Sequence, residues 1–308
     1  METGRLEMNS DLLRLLACPD CLGPLAEEAD RLRCAACGAS YDVNGGIPFL
    51  YPGGMDYAHL RAERHLANVM KSVESLPTES YRLAQWDLSK QEFWAMVAGN
   101  VRPSPCVLVN IGCGYDQHFK QFEQRGDLFV NFDLVPDMLV ELRDKAGARS
   151  CVCGDINRLP FHRGAFDHVV SIDVIHHESD NLDGILRAFW DLLKPGGKLF
   201  LEDPNAWGLF QMAKSMVLPR PLYRVLRSSW HRVKRSAHAP ADYEFPTNVR
   251  KVVARLRCLG FQDVKIYPHR AYPNIGRASH QLYRALSRSE YVRKYHNYHY
   301  MLSATRPY

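Results

Sequence analysis

The chain has 308 residues, 46% apolar and 24% charged, with a formal net charge of +5. That is a globular composition, long enough for one large α/β domain and a small appendage, and it excludes a fibrous or disordered chain. No run of about 18 apolar residues occurs and the opening residues mix Glu, Arg and Asp, so neither a spanning helix nor a secretory leader is expected and a cytoplasmic setting follows. The charge is unevenly spread. Residues 204–308 carry 19 Lys and Arg against 4 Asp and Glu, and residues 1–203 carry 20 against 30. A basic C-terminal third points to an anionic metabolite, RNA or an anionic lipid surface, or simply to a solvated basic face.

Near the start, Cys18 and Cys21 form one CxxC unit and Cys34 and Cys37 another, twelve residues apart. Two such turns supply the four thiolates that a tetrahedral Zn²⁺ takes, and four cysteines close the sphere, so the metal is expected to be structural. A reduced ribbon without metal is the alternative. A segment this small buries too little apolar surface to fold alone, so metal binding supplies its folding free energy. The stretches LLRLLACPDCLGPL and RCAACGASYDVNGGIPFLYP resemble the small zinc-ribbon activator that partners eukaryotic tRNA and release-factor methyltransferases. The resemblance covers about forty residues and implies a scaffold, not a chemical centre. It sets a module at 1–56, followed by a helical linker at 57–100 in which Tyr81–Trp94 reads as a helix covering a ligand.

From Cys106 the pattern changes. Short apolar runs at 106–111, 128–132, 150–153, 168–172 and 198–201 alternate with segments long enough for crossover helices. Continuously apolar strands are those of a parallel sheet covered on both faces, which predicts a doubly wound α/β domain over 101–308 with its ligand at the C-terminal strand ends. At the first strand end, Gly112 and Gly114 permit a tight turn and close approach of a ligand to the backbone. Residue 117 is Gln where a dinucleotide fingerprint needs Gly, so hydride chemistry on a nicotinamide is disfavoured. Asp133 ends the second strand, where a carboxylate can accept ribose hydroxyls. Asp155 and Ile156 follow the third, pairing a carboxylate with an apolar face as an adenine requires.

Six stretches in order, VLVNIGCGYD, NFDLVPDML, CGDINRLPF, AFDHVVSIDVIHH, LLKPGGKLFLEDPN and the pair GFQDVKIYP with YHYMLSAT, resemble class I S-adenosylmethionine methyltransferases. The resemblance implies a Rossmann-like sheet of seven strands closed by an antiparallel hairpin. It implies that Gly112, Cys113 and Gly114 line the methionine end of the cofactor, Asp133 and Leu134 the ribose, and Asp155 and Ile156 the adenine. Ser171 and Asp173 would lie under the sulfonium. Asn110 replaces the usual acid at the start of the glycine motif, keeping an acceptor but losing its charge, and Asp116 stands where a third glycine is common.

The sulfonium is an activated electrophile, so in-line placement of an O, N or S acceptor is the protein's main task. His176 and His177 after the fourth strand are the candidates for the base that an acceptor carrying a proton would use. Glu202, Asp203 and Asn205 open onto the same cleft. The acid-free insert at 206–241 mixes aromatics with seven Lys and Arg, which fits a packed lid, a membrane-surface helix or an RNA-facing arm. Three functions follow: a methyltransferase for a small or lipid-like metabolite, an RNA methyltransferase, and a cofactor-binding scaffold without activity. The remaining cysteines, Cys106, Cys113, Cys151, Cys153 and Cys258, read as small buried hydrophobes.

Overall fold

A computed structural model of the chain describes residues 8–55, 80–209, 246–269 and 288–308, with residues 60, 211, 212, 281 and 285 as isolated positions. Most of the insert expected at 206–241 and most of the linker before residue 80 lie outside the described residues.

Helix α1 (Ser10–Leu13) is capped by Asn9, whose side chain accepts from the Asp11 amide and donates to Ser150 Oγ at 3.0 Å. Four short strands follow: β1 (Leu25–Glu28), β2 (Arg31–Cys34), β3 (Ser40–Asn44) and β4 (Ile47–Leu50). Each pairs antiparallel with the next. The turn between β3 and β4 is Gly45-Gly46, both at positive φ (+55° and +79°), as a two-residue hairpin requires.

The large domain begins with α2 (Ser80–Ala98) and alternates thereafter: β5 (Val107–Ile111), α3 (Phe119–Glu123), β6 (Leu128–Asp133), α4 (Pro136–Glu141), β7 (Cys151–Gly154), β8 (Phe166–Ile172), α5 (Leu182–Leu192), β9 (Leu193–Pro204), α6 (Val249–Cys258), β10 (Gln262–Tyr267), α7 (Glu290–Tyr295) and β11 (His299–Thr305). Strands β5 to β9 are parallel, and β11 runs antiparallel between β9 and β10. Alternate residues of the central strand serve opposite faces. Leu108 packs with Phe93, Trp94, Phe122 and Phe129, and Val109 and Ile111 pack with Phe132, Phe161 and Phe189. Both faces are thus dry, which is why these strands are apolar throughout.

The sheet has eleven strands, in the order β1-β2-β3-β4-β7-β6-β5-β8-β9-β11-β10, where seven were expected. Those seven are β5 to β11, and the N-terminal ribbon adds the other four. Strand β4 runs parallel to β7, with Phe49 opposite Cys153 and Leu50 opposite Gly154. The added strand covers what would be an exposed row of unpaired amides and carbonyls on β7. Strand β9 is also longer than expected. It starts at Leu193, which pairs with Phe166, so the Lys194–Gly197 segment lies within it.

Candidate active site

The order of strands reverses at β5, where β6 and β7 lie to one side and β8 and β9 to the other. Ligands of open α/β sheets bind at the carboxyl ends of strands beside such a switch. Immediately after β5 the backbone turns through Gly112 (φ +73°) and Gly114 (φ +53°). The amides of Gly112 and Cys113 both donate to the Phe132 carbonyl, at 2.8 and 3.0 Å. The Gly114 amide donates to Asp133 Oδ2 at 2.8 Å, and the Val135 amide donates to Asp133 Oδ1 at 2.9 Å. Two backbone bonds leave a carboxylate with further lone pairs. Cys113 is buried, and burial, then the charge of Asp133, pushes its thiol well up, so it is neutral.

Two buried polar atoms at these strand ends have no hydrogen-bond partner: Asn110 Oδ1 on β5 and Ser171 Oγ on β8. The two lie on opposite faces of the sheet, Asn110 with Leu108 and Val170, and Ser171 with Ile111 and Val169, and other buried polar atoms among the described residues are also without a partner. Asp116 has structural partners. Its Oδ2 accepts from Trp94 Nε1 at 2.8 Å, tying α2 to the glycine turn, and its Oδ1 accepts from the His118 amide at 2.9 Å. Burial alone would raise the Asp116 carboxyl, but bonding to His118 and the charge of Lys90 outweigh it and lower it. Asp155 and Ile156 lie at the end of β7, half-buried. Asp155 Oδ1 accepts from the Asn157 amide at 2.8 Å. Leu134 offers its carbonyl to Tyr51 Oη at 2.8 Å, and Tyr51 also contacts Cys153 Sγ at 2.9 Å. A residue from the end of the ribbon therefore reaches the loop that follows Asp133.

The other half of the cleft holds imidazoles and carboxylates. His176 Nδ1 lies 2.9 Å from Asp203 Oδ1. Asp203 is fully buried, and its Oδ2 accepts from Thr247 Oγ1 at 2.7 Å; Tyr300 Oη in turn bonds Thr247 at 2.7 Å. The acid accepts, so His176 carries its proton on Nδ1 and its lone pair on Nε2. The His177 ring lies against that of His176, centroids 4.1 Å apart and planes tilted by 37°. Asn205 closes the turn after β9: its Nδ2 donates to the Tyr295 carbonyl at 3.0 Å.

Beside this pair, Glu202 contacts His299 Nδ1 directly and His269 Nε2 at 3.4 Å, and Asp173 Oδ1 lies 3.4 Å from His299 Nδ1. Asp173 takes the left-handed conformation (φ +56°), rare for a residue with a Cβ. Burial, then the charge of Glu202, raises the Asp173 carboxyl. Burial would also raise Glu202, but the two imidazoles outweigh it and hold it well below the usual carboxylate range. Burial would lower His299, and Glu202 and Asp173 outweigh that and hold its imidazole up at about 9. His269, His299, Thr247 and Tyr300 were not foreseen, since no local motif marks them. His299 and Tyr300 come to the cleft through the pairing of β11 with β9, His269 follows β10, and Thr247 is bridged to Asn205.

At the other end of the sheet, Cys18, Cys21, Cys34 and Cys37 place their Sγ atoms within 4.8 Å of one another. Cys18–Cys37 is 3.7 Å and Cys21–Cys34 is 3.5 Å, close to the roughly 3.8 Å between sulfurs around a zinc at about 2.3 Å. A Cβ on Gly23 would stand 2.8 Å from Ala36 Cβ and 3.1 to 3.2 Å from two of the sulfurs, so the knuckles need that glycine. The donor set fits a structural zinc. Of the other five cysteines four are buried as expected, but Cys258 is exposed on α6.

Comparison with known proteins agrees with both halves. Residues 109–201 match the methyltransferase domain family and residues 9–46 match the Trm112p-like protein family. The chain thus carries one stretch similar to a methyltransferase domain and one similar to a Trm112p-like protein. It is 26% identical over 165 residues to the malonyl-[acyl-carrier protein] O-methyltransferase of Serratia marcescens, covering 51% of this chain and 58% of that one. To the bovine protein named Probable tRNA methyltransferase 9B it is 29% identical over 150 residues, or 48% of this chain and 31% of that one. The chain therefore spans less than two thirds of either relative. Its fold also matches a chain from the complex of the Haloferax volcanii Trm112 methyltransferase activator with a methyltransferase. That match has a TM-score of 0.50 and 14% identity, covering 79% of this chain and 95% of that one. No helix among the described residues is long and apolar enough to cross a membrane.

Proposed function

We propose that the chain transfers a methyl group from S-adenosylmethionine to an O, N or S acceptor of a small or lipid-like metabolite. The observation that carries the cofactor assignment is the Gly112–Gly114 turn at the sheet's switch point, its Gly114 amide held by the Asp133 carboxylate. In this reading Asn110 accepts from the cofactor's amino group and Gly112, Cys113 and Gly114 admit its methionine end. Asp133, beside Leu134, accepts the ribose hydroxyls, and Asp155 with Ile156 receives the adenine. Ser171 and Asp173 lie beneath the sulfonium. The bound cofactor supplies the activated methyl group. His176 is the base: Asp203 orients its ring so that Nε2 takes the acceptor's proton, and His177 packs against it.

A small acceptor is favoured because the partly exposed Asp173, with Glu202 and Asp203 buried behind it, gives the far half of the cleft an acidic character that disfavours a phosphate backbone. One observation supports RNA as the second reading. Arg250 lies over the Trp207 ring at 4.8 Å and the Tyr295 ring at 5.8 Å, next to exposed Tyr291, a surface on which bases can stack. Calorimetry with S-adenosylmethionine tests the cofactor assignment: binding is expected for the native chain and not for Asp133→Ala. No binding at millimolar cofactor overturns both enzyme readings. Filter binding with tRNA and rRNA separates the substrates, since salt-sensitive micromolar binding favours RNA.

A further inference from the structure

We propose that Asp173, Glu202 and His299 form a second metal site, for a divalent cation that prefers oxygen and nitrogen donors, in the acceptor half of the cleft. The three side chains come from three separate strand ends. Asp173 follows β8, Glu202 lies near the end of β9, and His299 opens β11. Register brings them together: Ile172 pairs with Glu202 across β8 and β9, and Glu202 pairs with Met301 across β9 and β11. One ligand atom from each lies within 4.8 Å of the others, the same convergence that the four ribbon cysteines show.

The geometry suits an ion. Donors 2.0–2.2 Å from a divalent cation lie roughly 3.0–3.6 Å apart, and Asp173 Oδ1 is 3.4 Å from His299 Nδ1. Glu202 and His299 are in direct contact, so an ion bound between them would move them apart. The charge suits an ion too. The neighbouring buried acids have their own donors: two backbone amides for Asp133, and His176 with Thr247 for Asp203. Asp173 and Glu202 instead converge on His299, with His269 behind Glu202. Behind Glu202 stands a second layer of the kind that fixes metal ligands. His269, fully buried, bonds Glu202 through Nε2 and faces Glu92 through Nδ1 at 3.4 Å.

Two carboxylates and one imidazole suit Mn²⁺, Co²⁺ or Zn²⁺ and not a soft ion, and three protein donors leave coordination positions open. The Asp173 side chain is 21% exposed against 3% for Glu202, so the open side faces the cleft through Asp173. There an ion would bind the acceptor oxygen and ease loss of its proton. This implies a hydroxyl or phenol acceptor: the proton passes to His176 Nε2, the O–C bond forms, and the S–C electron pair stays on sulfur. The consequence for the acceptor rests on the methyl-transfer reading; the ion site does not.

The test is titration of the zinc-loaded chain with Mn²⁺, followed by loss of the free-ion signal in electron paramagnetic resonance, without cofactor. One bound Mn²⁺ per chain is expected, with affinity at least roughly tenfold weaker in Asp173→Asn and Glu202→Gln. Zinc content by elemental analysis and the melting curve, both unchanged, show that the variants are folded. If Glu202→Gln does not fold, Asp173→Asn, at the more exposed of the two carboxylates, decides alone. Co²⁺ added to the same zinc-loaded chain should give weak visible bands without thiolate charge transfer, which separates this site from the ribbon. Absence of Mn²⁺, Co²⁺ and extra Zn²⁺ binding at millimolar ion overturns the proposal. So does equal Mn²⁺ affinity in the native chain and Asp173→Asn. If Asp173→Asn weakens cofactor binding but not ion binding, the carboxylate serves the sulfonium and the ion site is refuted.

Discussion

At Gly112 the backbone is left-handed, and a Cβ added there would stand 2.2 Å from Val174 Cγ2. Gly112→Ala is therefore expected to cost about 2–4 kcal/mol, combining left-handed strain with overpacking. Chemical denaturation measures it. Adding Val174→Ala should recover the packing part and leave the backbone part, whereas a neutral Gly112→Ala would contradict the turn described here. His168 offers a pH test on the opposite, buried side of β8. Its Nε2 accepts from the Arg102 amide at 3.1 Å, and burial, the largest influence, lowers its pKa to about 4. A histidine lowered in the folded state binds its proton more readily when unfolded. Stability is thus full above the unfolded value near 6.5 and declines as pH falls toward 4, by up to ~3 kcal/mol. Melting curves of the native chain and His168→Gln between pH 7 and 4 should converge on the acid side. Parallel curves would mean that His168 does not contribute.

Among the elements, β4 carries the most consequence for the cofactor loop, because Tyr51 follows it directly and holds the Leu134 carbonyl. Tyr51→Phe removes a hydroxyl and little volume, so it should weaken S-adenosylmethionine binding several-fold while leaving zinc content intact. Unchanged affinity would show that the contact is packing alone. How legible such features are in the sequence depends on their range. The turn after β5 and the acid at the end of β6 are local, and Gly112, Gly114 and Asp133 stand in the order and spacing that their backbone requires. The four cysteines are local as well. The docking of β4 is not. Ile47–Leu50 is a short apolar run whose pattern names no partner, so the ribbon reads as a separate module and the sheet as seven strands. Nor is the His299–Glu202 contact, which joins residues 97 apart in sequence. It depends on a β9–β11 register that no single segment encodes. Asp116 reads as a departure from a glycine pattern until its bond to Trp94, 22 residues earlier, supplies the reason.

For the whole molecule, the ribbon and the catalytic sheet form one hydrogen-bonded surface, so the zinc should matter to a site it does not touch. A structural zinc contributes on the order of 10 kcal/mol to a module of this size. Its removal by a chelator is expected to unfold residues before β4, uncover the β7 edge and lower cofactor affinity. Calorimetry and light scattering follow the two effects, and zinc restores both. Full cofactor affinity in the zinc-free chain would show that the halves are energetically independent. The β4–β7 pairing is also made within one polypeptide. Tethered segments meet at an effective concentration in the millimolar range, set by the linker and not by the solution. Edge closure should therefore be insensitive to dilution, and the large domain never has to compete for its ribbon.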